Sequence, residues 1–138
     1  MHDFIETTGY PLPVTPQFIE HLANAVDGQH LDTTNPFITL SFTDPDYAKK
    51  PGGFHPTEVV LKKHDMKWRI VTIMDYCNVS QCRYPKWAPD LEFNFELKQY
   101  HNIGQEFDLP KAQEIYQLWE KNFIYFWQDC QPYQVAVY

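Results

Sequence analysis

Apolar residues recur along this chain with two periods, and the switches between them outline its elements. Thr15-Pro16 offers a hydroxyl cap followed by proline at the first helical position, where the missing N–H costs nothing. Phe18, Ile19, Leu22 and Val26 then share one face, and Gly28 suits a left-handed stop, so a helix of about three turns is predicted. After Asn35-Pro36 the period becomes two: Ile38, Leu40 and Phe42 alternate with Thr39 and Ser41, as in a half-buried strand. Asp44-Pro45-Asp46 ends that strand, and Lys49 to Gly53 reads as a polar turn region.

The next run forms a hairpin. Thr57, Val59 and Leu61 make one apolar side, with Glu58 and Lys62 facing away, and His64-Asp65 is the expected corner. Trp68 to Tyr76 follows, with Trp68, Ile70, Met74 and Tyr76 assigned to one face and Val71 and Ile73 to the other. Apolar residues on both faces predict an interior strand. Asn78 to Asp90 reads as a long connection holding Tyr84-Pro85-Lys86-Trp87-Ala88-Pro89, and Leu91 to Lys98 alternates without an error.

A second helix is expected from Asp108-Leu109-Pro110, with Ala112, Ile115, Tyr116, Trp119, Phe123 and Phe126 on its buried stripe. Tyr133, Val135 and Val137 alternate as a closing strand. The pattern therefore predicts one α+β domain over residues 1–138, a mainly antiparallel sheet of about five strands packed with two main helices.

Composition adds that the core is rich in rings, since 17% of the 138 residues are aromatic. The net charge of −7 is segregated. Residues 1–48 carry seven acids and no Lys or Arg, whereas residues 49–69 carry six bases, Lys49, Lys50, Lys62, Lys63, Lys67 and Arg69, against two acids. The hairpin is thus the positive pole of an acidic protein. Met1 to Glu6 lacks a basic start and an apolar run, so a soluble, cytoplasmic protein with no membrane segment is expected. Three cysteines, Cys77, Cys82 and Cys130, read as free thiols.

Gly52-Gly53-Phe54-His55-Pro56-Thr57-Glu58 before a hairpin, Asp75-Tyr76 at its end, Leu91-Glu92-Phe93-Asn94-Phe95, and then Ile115-Tyr116-Gln117-Leu118-Trp119-Glu120 form an ordered set. In these the chain resembles the uncharacterised bacterial family catalogued as domain of unknown function 2787, from the first strand to the C-terminus. The resemblance implies a small gammaproteobacterial protein of a kind often met on mobile or accessory genetic material. It supplies no established activity and no catalytic residue.

Candidate chemistry has to come from the residues themselves. His55 and Glu58 stand at the start of the second strand, and an imidazole beside a carboxylate is general-base equipment. The plainer account has His55 anchoring the loop, Pro56 fixing the strand and Glu58 solvated. Asp75, Tyr76 and Cys77 follow the interior strand, where reactive groups often sit, but without a nucleophile elbow Cys77 reads as a small buried hydrophobe. Cys77 and Cys82 lack a second ligand pair at zinc-site spacing, so no metal is expected. The five glycines form no phosphate loop or dinucleotide fingerprint, so no cofactor is expected either.

The leading expectation is a noncatalytic protein-interaction or regulatory module that binds a partner or itself. Its candidate binding residues are His55, Glu58, Trp68, Asp75, Tyr76, Trp87, Trp119 and Trp127, with Trp87 and the Phe123 to Trp127 end as contact surfaces. One alternative is nucleic-acid binding through the basic hairpin, disfavoured by the overall acidity. Another is a small hydrolase or transferase using His55 with Glu58 or Asp75; it requires those groups to line one pocket within hydrogen-bond reach.

Overall fold

The structure of the chain, a computed structural model, describes residues 4–27, 29, 31, 34–47, 54–78, 87–102 and 104–138, apart from the side chains of Asn78 and Trp87. The expected stop at Gly28, the turn region from Lys49 to Gly53 and Cys82 lie outside the described residues. Helix α1 spans Pro16–Val26 and α2 spans Gln113–Tyr125. The strands are β1 Phe37–Thr43, β2 Thr57–His64, β3 Lys67–Asn78, β4 Trp87–Asn94, β5 Gln99–Asn102, β6 Gln105–Asp108 and β7 Gln134–Val137. They form one antiparallel sheet in the order β6-β5-β4-β3-β2-β1-β7.

The sheet therefore has seven strands among the described residues, not about five. The two additional strands, β5 and β6, are four residues each, and only Tyr100 in them is buried. So short a segment with one apolar anchor carries no legible alternation. The run Leu91 to Lys98 is also shorter than its pattern suggests. Strand β4 ends at Asn94, whose side-chain oxygen accepts from the Leu97 amide at 2.8 Å, and Lys98 turns the chain with φ of 56°.

Two β-bulges correct the assignment of faces. Val60 pairs with Thr72 and Leu61 with Ile70, so Val71 has no partner opposite. The extra residue shifts the alternation, and Ile70 and Ile73 both reach the core, 0% and 1% exposed. Met74 and Tyr76, grouped with Ile70 by strict alternation, stand on the opposite face. The β2–β3 ladder continues to His64 opposite Lys67, so the corner is Asp65-Met66 rather than His64-Asp65, with Asp65 left-handed at φ of 57°. The second bulge falls in β4. Tyr76 pairs with Pro89 and Asp75 with Leu91, leaving Asp90 unpaired within a strand that begins at Trp87. Strand β4 thus begins three residues before Asp90, inside the expected long connection.

Both helices cover the same sheet face. Phe18, Ile19, Leu22, Ala23 and Val26 of α1 and Tyr116, Trp119, Phe123 and Ile124 of α2 join Leu40, Phe42, Val59, Leu61, Ile73 and Phe93 in one core. Rings dominate it: Phe42 meets Phe123 edge-on at 5.1 Å, Phe93 meets Tyr116 at 5.2 Å, and Trp119 stacks on Phe123 at 5.0 Å. On the other face Glu58, Thr72, Met74, Glu92 and Asn94 are only half-buried.

Two polar ties fix the ends. Glu120 of α2 is 3% exposed and accepts from the Thr15 amide at 3.1 Å, the Thr15 hydroxyl at 2.5 Å and the Tyr116 hydroxyl at 2.7 Å. Thr15 is also the N-cap of α1, so one carboxylate joins the two helices. At the other end of the sheet, residues 4–6 take the edge of β3 beyond the reach of β4. Trp68 donates its amide to Phe4 O at 2.7 Å and accepts from the Glu6 amide at 2.8 Å.

Candidate functional site

The site grows from the approach to β2. Asp44, just past β1, accepts from the Asp46 amide at 2.9 Å and with its other oxygen from the Phe54 amide at 2.9 Å. It therefore holds the segment before β2 against the end of β1. Pro56 fixes the next step, and its carbonyl accepts from the Tyr76 amide at 2.8 Å. Thr57 then stands opposite Asp75 in the ladder. His55, two residues before the buried Thr57, thus shares its side of the sheet with Asp75.

The result is a close group at the rim of a cleft. His55 Nδ1 is 3.2 Å from Asp75 Oδ1 and 3.7 Å from Asp90 Oδ2. The Tyr47 ring packs edge-on to the imidazole at 5.1 Å. Hydrogen bonding to Asp75 raises the His55 pKa above the ordinary imidazole value, against an opposing effect of partial burial. The cleft has a volume of about 390 Å³ and is lined by Phe54, His55, Thr57, Asp75, Trp119, Asn122, Phe123, Phe126 and Tyr133. Phe54 packs on Phe126 at 4.9 Å and faces Tyr133 at 6.1 Å. Burial raises the Tyr133 pKa, as do the negative charges of Asp75 and Asp44, so its hydroxyl stays protonated.

The predicted site residues divide. His55, Asp75 and Trp119 come together here, with Trp119 buried beneath the cleft. Glu58 and Tyr76 do not. They face the open side of the sheet, where the Tyr76 hydroxyl donates to Glu58 Oε1 at 3.1 Å. Burial first and the Glu58 charge second push the Tyr76 pKa up to about 12. Cys77 is held as a thiol, its pKa raised by burial and by Asp90 and Asp75. Trp68 packs on the core near the N-terminal segment, and Trp127 sits in the π-helical turn after α2, edge-on to Phe42 at 4.7 Å. The Trp87 side chain, Lys49 and Lys50 lie outside the described residues.

The basic hairpin is less free than its composition suggests. Arg69 binds Glu6 at 2.6 Å, the carbonyls of Thr8 and Gly9, and the Tyr10 ring, so it clamps the N-terminal segment. Lys62 pairs with Glu96 at 3.4 Å, and His64 with Glu6 at 3.1 Å. Lys63 and Lys67 are exposed.

Sequence reasoning missed Asp90, Tyr47, Asn122, Phe126 as a cleft wall, and Tyr133. Asp90 had a faint signal in the Pro89-Asp90 step beside a clean strand, but only the bulge turns it toward His55. The donor atoms of His55, Asp75 and Asp90 all lie within 4.8 Å of one another, which makes them a potential ligand set. On the open face a second histidine, His101, places its buried Nδ1 3.3 Å from Glu92 and its Nε2 3.7 Å from Glu106.

No helix among the described residues is long and apolar enough to cross a membrane. No curated protein matches the chain. Among solved structures it is similar to the hypothetical protein VC0508 from the VSP-II pathogenicity island of Vibrio cholerae. That match has 26% identity and a TM-score of 0.83, and covers 97% of this chain and 98% of the other. It is similar also to the conserved hypothetical protein VC1805 from pathogenicity island VPI-2 of Vibrio cholerae, with 26% identity and a TM-score of 0.79. That match covers 95% of this chain and 98% of the other, a protein described as sharing structural homology with the human P32 protein. Residues 16–138 match the family described as "Protein of unknown function (DUF2787)", and the chain belongs to that family.

Proposed function

We propose that the protein is a noncatalytic recognition module that takes an apolar side chain of a protein partner into the cleft between α2 and the sheet. One observation carries this reading: half-buried Phe54, Phe126 and Tyr133 wall an open cleft of about 390 Å³ whose His55 and Asp75 lie to one side. Apolar walls with a few convergent polar groups are the usual form of a binding pocket, and aromatic side chains dominate interface energetics. His55 and Asp75 supply the hydrogen bonds that orient the guest. The pathogenicity-island setting of the similar Vibrio proteins supports a role linked to mobile genetic elements. Capture from host lysate tests the reading: a partner retained by the native protein is expected to be lost with Phe126→Ser, at an unchanged circular dichroism spectrum. Equal capture by the variant, or a strict monomer that retains no partner, contradicts it.

The His55–Asp75 contact favours one second reading, a small hydrolase or transferase with His55 as general base and Asp75 orienting it. Glu58 has no part in it, because it faces the other side of the sheet. Turnover of a model ester panel that survives His55→Ala unchanged would remove this reading.

A further inference from the structure

The geometry points to a site for one divalent transition-metal ion, zinc or manganese, held by His55, Asp75 and Asp90, which we propose as a new metal centre at the cleft rim. The three donors come from different strands or strand ends: His55 precedes β2, Asp75 is on β3 opposite Thr57, and Asp90 is the bulged residue of β4. They converge through backbone register, not through flexible loops alone. Around an ion with bonds of about 2.1 Å, neighbouring donors are about 3.0 Å apart in octahedral and about 3.4 Å apart in tetrahedral coordination. The imidazole nitrogen lies 3.2 Å from one carboxylate oxygen and 3.7 Å from the other, and all three donors lie within 4.8 Å of one another, so the side chains close on one ion by rotating toward it.

Charge points the same way. The bulge breaks the β4 ladder and turns a second carboxylate toward Asp75, and the repulsion between the two is offset by a protonated His55 or by a bound cation that displaces its proton. Among the described residues, His55 is the one basic side chain within ion-pair distance of either aspartate. An imidazole with two carboxylates suits zinc, manganese or iron(II) better than the all-oxygen shells of calcium and magnesium. Three protein ligands leave positions open, and two of the ligands, His55 and Asp75, also line the cleft. This inference does not depend on what enters the cleft, because the metal is read on the isolated protein.

The test is titration of the chelator-treated, dialysed protein with zinc or manganese chloride, by calorimetry and by 1H–15N spectra of the histidine rings. Binding of one ion per chain that shifts the His55 ring resonances is expected. Asp90→Asn should weaken it at least about tenfold, whereas Glu58→Gln and His101→Ala on the other face leave it unchanged. No binding, binding that Asp90→Asn leaves intact, or a His55 ring that does not respond overturns the proposal; should Asp90→Asn fail to fold, the His55 ring in the native chain decides alone.

Discussion

Asp90 stands 3.7 Å from His55 because β4 carries one residue more than β3 between the pairs Tyr76–Pro89 and Asp75–Leu91. The ladder on either side of the bulge is regular, with Leu91 facing Asp75 and Pro89 facing Tyr76. Asp90 can therefore be removed without changing which residues face the core.

Deletion of Asp90 should give a continuous ladder and a folded protein. The expected change in melting temperature is under about 5 °C, equivalent to roughly 1 kcal/mol. The His55 ring environment should nevertheless change in the histidine spectrum. A protein that fails to fold after this deletion would mean that the bulge is needed for the sheet and is not an addition for the site.

Glu120 makes a separate prediction about stability. It is 3% exposed, and its carboxylate accepts from Thr15 twice and from Tyr116. Glu120→Ala would leave the buried Tyr116 hydroxyl, and with it the Thr15 N–H and hydroxyl, without their acceptor and should destabilise the fold by about 3 kcal/mol. Thr15→Ala should cost about 1 kcal/mol through the lost cap. Because the two share hydrogen bonds, urea melts of the double variant should show less than the sum of the single effects.

The N-terminal clamp gives a pH dependence. Hydrogen bonding to Arg69 is the main cause that lowers the Glu6 pKa below its ordinary value, with His64 contributing, while some burial opposes them. The depressed folded-state value means that stabilisation is present above the unfolded value of 4.5 and is lost as pH falls through the folded one. The stability gap between the native protein and Arg69→Gln should therefore be present at neutral pH and narrow in acid. A gap that stays constant down to pH of about 3 contradicts the assignment.

Pairing also bears on the basic hairpin. With Arg69 committed to Glu6 and Lys62 to Glu96, little concentrated positive charge is left on its described residues to follow a phosphate backbone. The triple replacement of Lys62, Lys63 and Lys67 by Ala should leave retention on immobilised DNA at low salt as weak as that of the native protein. Strong native retention that falls in the variant would restore the nucleic-acid reading.

The legible parts of this chain were those that obey a single period. Ile38, Leu40 and Phe42, the α1 stripe and the Thr57, Val59, Leu61 run all lie where alternation or helical spacing puts them. His55 and Asp75 were legible as ends of paired strands, which is why they could be named as one candidate group. Strict alternation failed at Val71, and Asp90 was read as the end of a connection instead of a strand residue, because a bulge interrupts the pattern and neither residue type announces one. Strands β5 and β6 escaped notice because they lie at the sheet edge with one buried side chain between them. The cleft itself was half visible: the aromatic end of α2 was marked as a contact surface, but the approach of Phe54 and Tyr133 to Phe126 is a tertiary fact.

The central claim is that recognition happens in the cleft, and adjacent rings at the end of α2 test it. Phe126 lines the cleft, whereas Tyr125 is 56% exposed and does not. A photoreactive phenylalanine analogue placed at either position and irradiated in host lysate reads which surface meets the partner. A covalent adduct with a single protein from position 126 and none from position 125 is the predicted result; an adduct from 125 alone, or none from 126, would contradict the account.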